Sequence, residues 1–240
     1  ITYTLNLFYF ITAVSQSLKN DTLELFPIHN EIEVIPNFVD MTRFSKKPRE
    51  HFKRAIAPNG ERVIVHTSNF RKVKRVDDVI EVFRLINKQI PSRLLMIGDG
   101  PERIRVEREC RECDMCDQIS FLGKQDAVEE LLSVSDLFIM PSETESFGLA
   151  ALEAMACQVP VISTNTGGLP EVNIHGKTGF TCAVGDIQSM AKYGIEILES
   201  DEQLNQFKQA ALEHAMTFDI NTVGPLYMTY YEQILQSVNA

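Results

Sequence analysis

The chain has 240 residues, of which 44% are hydrophobic and 23% charged, with a formal net charge of −10 at pH 7. That length and balance suit one large α/β domain, or one domain with an appendage, burying an ordinary globular core. The acidic excess excludes nucleic acid as the main partner, because such binding needs clustered Lys and Arg to neutralise phosphates. Five cysteines, an odd number, predict reduced thiols and a cytoplasmic setting rather than a disulfide framework. The sequence opens on Ile1, and its first 14 residues are largely apolar with no Lys or Arg before Lys19. A signal peptide has a basic start and a spanning helix needs about 20 apolar residues, so the stretch reads as the exit from a preceding domain, with no membrane contact expected.

Residues 10–14 predict a buried strand, and Ser15 caps a helix to about Leu25. A strand follows at 31–35, then a turn at 36–40, then a polar, basic stretch to about Asn59 whose composition predicts a linker. From Arg62 onward short apolar runs at 63–67, 93–97, 119–122, 137–140 and 159–163 predict strands. Between them the 3.6-residue period predicts helices at 76–90, 101–113, 127–134 and 147–156. The tail, 187–240, predicts two or three further helices. This alternation specifies an α/β fold: a Rossmann-like parallel sheet with helices on both faces. Ligands on such sheets sit at the carboxyl ends of the strands, so the loops after Thr67, Ile97, Leu122, Met140 and Ser163 are expected to share one rim.

The richest stretch on that rim is Pro141-Ser-Glu-Thr-Glu-Ser-Phe-Gly-Leu-Ala-Ala-Leu-Glu153. A strand ends at Pro141 and a helix begins near Phe147, with the turn at Ser146-Phe147-Gly148-Leu149 at its tip. The first N–H groups of a helix lack partners within it and its dipole is positive there, so the turn can hold an anion. Gly148 lets a phosphate or sugar approach the backbone. Glu145 and Glu153 lie eight positions apart and cannot grip one atom; they suit an elongated ligand with hydroxyls at two places and a diphosphate between. The plainer alternative makes Glu145 a dipole-compensating residue and Glu153 a solvated helix charge.

Ser68-Asn-Phe-Arg-Lys-Val-Lys-Arg75 opens a helix at another strand end and has four cations in five residues. It is either a solvated charged face or a diphosphate clamp. Gly98-Asp-Gly100 fails the dinucleotide fingerprint, since Arg103 stands at the third glycine position, and reads as a tight strand-to-helix turn. Thr166-Gly-Gly-Leu-Pro-Glu171 is either a further bare helix start or a structural turn. Cys110-x-x-Cys113-x-x-Cys116 has metal-like spacing but no nearby fourth ligand, so a core reading is preferred and no metal is expected. Cys157 and Cys182 read as structural, and His66 as a packed or rim residue.

The segment Glu145-Ser-Phe-Gly-Leu-Ala-Ala-Leu-Glu153 resembles the E-x7-E element of glycosyltransferase family four, retaining enzymes of the GT-B fold. Within that family Ser68 to Arg75, Gly98-Asp-Gly-Pro-Glu102 and Phe121-Leu-Gly-Lys124 are similar to the N-acetylglucosaminyl L-malate synthases that begin bacillithiol synthesis, and the similarity runs from about Phe10 to the tail. The family loop usually reads Gly-Arg, four residues, then Lys. Lys74 matches the lysine, Ser68 and Asn69 depart from the first two positions, and Arg71 is the substitute cation. The resemblance implies transfer of N-acetylglucosamine from its UDP ester to L-malate. Glu153 would bind ribose hydroxyls and Glu145 those of the donor sugar. Ser146 and the N–H groups of Phe147, Gly148 and Leu149 would face sugar and phosphates, Lys74 and Arg71 the diphosphate, with Asn69 beside them, and Gly98 and Lys124 the uracil. No metal or other cofactor is implied, because a DxD-type acidic cluster is not evident. It also implies that residues 1–40 end an acceptor domain and its linker, that 41–220 bind the nucleotide sugar, and that 221–240 return to the first domain. The segment alone would then bind nucleotide and catalyse little. Another acceptor, a sugar-nucleotide epimerase, a non-catalytic binding module and a homo-oligomer remain open.

Overall fold

The computed structural model describes residues 2–7, 10–112, 115 and 117–238; Cys113 and Cys116 of the cysteine run lie outside them. After α1 (Thr2–Leu5), strands β1 (Ile11–Ala13) and β2 (Ile32–Val34) pair in parallel around α2 (Gln16–Leu25), apart from the main sheet. The Ser15 hydroxyl caps α2, accepting from the Leu18 N–H at 3.0 Å. The chain continues through α3 (Glu50–Ile56), β3 (Arg62–Ser68), a 3-10 turn (Lys72–Lys74), α4 (Val76–Asn87), β4 (Ser92–Gly98), α5 (Arg103–Glu112), β5 (Ile119–Gly123), α6 (Val128–Val134) and β6 (Leu137–Met140). It ends through α7 (Leu149–Ala156), β7 (Val161–Thr164), α8 (Leu169–Val172), β8 (Gly179–Cys182), α9 (Ile187–Leu198), α10 (Asp201–Met216) and α11 (Ile220–Val238).

The six-stranded sheet has the order β5-β4-β3-β6-β7-β8, parallel throughout. Its strands are nearly continuous apolar runs because both faces are covered. Val63, Val65, Phe138 and Met140 enter one core, while Ile64, Leu94, Leu137 and Ile139 enter the other. From β3 the chain steps outward to β4 and β5, then returns to lay β6 on the other side of β3. The strand order thus reverses between β3 and β6, which places the ligand crevice at their carboxyl ends, where the two loops meet and the Glu143 N–H donates to the Val73 carbonyl at 2.9 Å.

Four details depart from the sequence reading. The stretch 41–59 is packed onto the sheet domain rather than free: it forms α3, buries Phe44 and Ala57, and lays Met41, Phe52 and Ile56 against the same core. Strand β8 was missed. The helix expected from Phe147 starts at Leu149, behind Gly148 in a left-handed conformation (φ 102°), and β7 starts at Val161, beyond Pro160. The tail has three helices among the described residues, and the last returns to the small sheet. Its Tyr227 and Tyr230 hydroxyls donate to the carbonyls of Ile35 at 3.3 Å and Ile11 at 3.5 Å.

One buried cluster ties three elements together below the sheet. Asp136, 1% exposed, accepts from the Val63 N–H at 3.0 Å, from Lys53 Nζ on α3 at 2.8 and 2.9 Å, and from Lys208 Nζ on α10 at 2.8 Å. Burial pushes its carboxyl up, but Lys208 and Lys53 outweigh burial and hold it down at about 2. No helix among the described residues is long and apolar enough to cross a membrane.

Candidate functional site

The crevice between β3 and β6 brings together the two loops that carried the most chemistry in the sequence. Lys74, at the end of the 3-10 turn after β3, forms an ion pair with Glu145, in the loop after β6, although 71 positions separate them. Their side chains are only 19% and 13% exposed, so their attraction is less screened than at an open surface. Ser142 Oγ donates to the same Glu145 oxygen at 3.1 Å, and its own carbonyl accepts from Thr164 Oγ1 at 2.6 Å. The Glu145 side chain is thus fixed by groups from β3, β6 and β7. Neither Ser142 nor Thr164 stood out in the sequence, since a lone Ser or Thr at a strand end carries no pattern.

Beside this pair the start of α7 is open. Among the described residues no acceptor takes the N–H groups of Phe147, Gly148 or Leu149; the helix bonds begin with Ala151 and Leu152 donating to the Gly148 carbonyl. The Phe147 ring is buried edge-on against Phe218 at 5.7 Å, so that residue offers its backbone alone. Ser146 and Leu149 are exposed. Gly148 has a second constraint besides its φ, because a Cβ there would lie 2.6 Å from Leu169 Cδ2.

A second turn holds this one in place. The Gly168 N–H donates to the Glu145 carbonyl at 2.9 Å, and a Cβ on Gly167 (φ +55°) would stand 1.9 Å from that oxygen. Ser15 Oγ donates to the Ser146 carbonyl at 2.6 Å, and the Glu171 carboxylate accepts the N–H groups of Gln16 and Ser17 at 2.9 and 2.8 Å. The start of α2 is therefore clasped to the α7 turn through Ser15 and Glu171. The sequence marked Ser15 as a cap and Glu171 as part of a turn; nothing in it showed that they meet.

The remaining expected residues are distributed along the rim. Arg71 and Asn69 lie exposed in the β3 loop, and Arg71 forms no ion pair with a described residue. Its neighbour Arg75 is committed to Asp78 at 2.7 Å and Glu143 at 3.1 Å. Gly98 ends β4 with its Cβ position 1.8 Å from the Ser68 carbonyl oxygen, in agreement with the tight-turn reading. Lys124 is exposed after β5, three strands from β6, or about 14 Å at the usual strand spacing. Lys124 is thus set apart from the Lys74–Glu145 pair, while Gly98 abuts Ser68 at the start of the loop that carries Lys74. His66 is packed rather than at the rim. Burial pushes its ring down to about 4 despite the bond to the Ile139 carbonyl, and it bonds Ser68 Oγ at 2.8 Å. Cys110, Cys157 and Cys182 are buried core residues, and no metal-binding cluster occurs among the described residues.

Glu153 differs from every other acid at the site. It is half-buried on α7, takes no hydrogen bond from a described residue, and is pushed up to about 7 by burial, against the pull of Arg43 and with Glu129 adding repulsion. Its folded-state value exceeds the ordinary 4.5 of a solvated glutamate, so between those limits the folded chain holds a proton that the unfolded chain releases. Stability consequently falls as pH rises from about 4.5 to 7. Glu153→Gln is expected to flatten that decline and to raise stability at pH 8 by on the order of 2 kcal/mol, allowing for partial solvent screening. Urea unfolding of both proteins at pH 5 and 8 checks this; equal pH slopes would mean that Glu153 is solvated.

A family model for group 1 glycosyl transferases matches residues 47–214. The chain belongs to that family. Over 228 residues it is 41% identical to N-acetyl-alpha-D-glucosaminyl L-malate synthase of Bacillus anthracis, covering 94% of this chain and 60% of that protein. It is 30% identical over 222 residues to a glycogen synthase of Mycobacterium tuberculosis (strain CDC 1551 / Oshkosh), covering 89% and 51%. Among solved structures, HepE of Anabaena in complex with UDP-glucose superimposes with a TM-score of 0.86 at 21% identity, over 98% of this chain and 66% of that one. Sucrose-phosphate synthase of Thermosynechococcus elongatus gives 0.85 at 24%, over 98% and 61%. The parallel α/β architecture is thus that of GT-B glycosyltransferases. The chain spans half to two thirds of the length of these group 1 relatives and structural neighbours.

Proposed function

We propose that this chain is the donor-binding part of a retaining glycosyltransferase that moves N-acetylglucosamine from UDP-N-acetylglucosamine to L-malate. The observation that carries the reading is the Lys74–Glu145 pair set against the unpartnered N–H groups at the start of α7. The identity with the Bacillus anthracis synthase supports this choice of sugar and acceptor. A diphosphate entering the crevice draws Lys74 from Glu145 and lies across the helix start, with Arg71 free to swing onto it. Glu145, released, accepts from donor-sugar hydroxyls. Glu153, a half-buried acid without a donor, takes the ribose hydroxyls. The bond from the anomeric carbon to the diphosphate oxygen breaks through an oxocarbenium-like state. The malate hydroxyl bonds to that carbon on the face the leaving group vacates, and its proton passes to the departing UDP. Lys74, Arg71 and the helix start stabilise the charge that grows on the diphosphate, and no metal is assigned a role.

Residues 41–220 are assigned to the nucleotide sugar. Residues 1–40, with their own small sheet, and 221–240, which pack on it, are assigned to the acceptor side. The test is incubation of the intact protein with UDP-N-acetylglucosamine, alone and with L-malate. The expected result is UDP and a malate glycoside of retained configuration only when malate is present. Epimerised sugar without malate makes it an epimerase, transfer only to other acceptors rejects malate, and UDP binding without turnover makes it a binding module.

A further inference from the structure

A second charged cavity lies at the opposite end of the sheet, below the amino ends of β3 and β6. It encloses about 400 Å³ and is lined by Lys46, Lys47, Arg49, Lys53 and Lys208, with Glu50 the one acid in its wall. In a chain carrying a net charge of −10, five cations around one small cavity need an explanation. Structural pairing accounts for part of them. Lys53 and Lys208 share the single charge of Asp136, and Arg49 Nη2 pairs with Glu130 at 2.7 Å. Lys46 and Lys47 have no ion-pair partner among the described residues. Together these leave an excess of positive charge facing the cavity.

The cations are also not fully satisfied within the chain. Arg49 Nε is buried without any acceptor, and a buried donor left unsatisfied is costly enough that native structures rarely keep one. Although Lys46 is exposed at the mouth of the cavity, desolvation and repulsion from Lys208 and Lys53 lower its ammonium to about 8, and Asp136 offsets only part of this. An anion bound among these cations would relieve the repulsion on Lys46. The volume is that of a small-molecule cleft, and a compact phosphorylated group matches fixed, closely spaced ammonium and guanidinium donors.

We propose that this cavity binds the phosphate or diphosphate group of a small metabolite, at a site separate from the donor crevice by the length of β3. Seven residues at about 3.3 Å each place the two sites roughly 20 Å apart. The inference stands independently of the sugar and acceptor assigned above. The test titrates inorganic pyrophosphate into the intact protein already saturated with UDP, at constant ionic strength, by calorimetry. One pyrophosphate is expected to bind, and the Lys46→Gln/Lys47→Gln double variant is expected to lose at least tenfold in that affinity. Its UDP affinity should be unchanged, because neither lysine takes part in the buried Asp136 cluster or the crevice. Absence of heat with UDP present, or equal affinity in the double variant, overturns the proposal.

Discussion

Replacing Lys74 by Ala in the intact protein is expected to lower turnover of UDP-N-acetylglucosamine with L-malate by about 10² to 10³-fold, the usual effect of removing one donor aimed at developing charge. Two contributions act together. On the proposed function the departing diphosphate loses its half-buried cation, and Glu145 loses the ammonium that pairs with it. Lys74→Arg should recover part of the rate, because charge returns without the compact ammonium geometry. A cycle with Glu145→Gln separates the contributions, since residues in direct contact are not additive. Steady-state kinetics with UDP release as the readout, together with a melting curve to show that the variant is folded, decides the matter. A loss smaller than tenfold would remove Lys74 from the transfer step.

The largest effect on stability is expected at Asp136. Asp136→Ala should cost about 3–5 kcal/mol in urea unfolding, because it leaves Lys53 and Lys208 facing each other without their shared counter-charge and the Val63 N–H without its acceptor. The pH dependence has a definite sign. The folded-state carboxyl, at about 2, lies below the ordinary 3.8 of a solvated aspartate, so the contribution is present above about pH 4 and disappears as pH falls through 2. Superimposable urea curves for the variant and parent at pH 7 would show that the cluster contributes nothing to stability.

The order of strands and helices from Arg62 to Thr164 was legible because the central strands are buried on both faces and read as apolar runs, with the edge strand β5 still largely apolar, while the helices between them present apolar faces to the sheet. Strand β8 escaped because Gly179-Phe-Thr-Cys182 lacks the β-branched density of the others; it is an edge strand held by its register with β7. Helix α3 escaped because its anchoring groups resemble those of a solvated segment. Lys53 is a surface-type residue until α10 and Asp136 meet it. At the crevice, the sequence indicated which loops matter, since strand ends and helix starts are local signals. It did not indicate that Lys74 and Glu145 bond each other, nor that Ser142, Thr164, Ser15 and Glu171 hold the turn, because those contacts depend on which strands become neighbours. Glu153 was singled out by its spacing from Glu145 together with the E-x7-E resemblance; its raised proton affinity follows from burial, which neither reports.

The clasp between Glu171 and α2 has a bearing on how this protein tolerates change. The carboxylate reads amide hydrogens of the main chain at residues 16 and 17, and every amino acid except proline supplies those. Side chains at these two positions are therefore free to vary with the demands of their surroundings, while residue 171 bears this half of the connection and Ser15 the other. Drift on one side of the joint is silent, and on the other it is not.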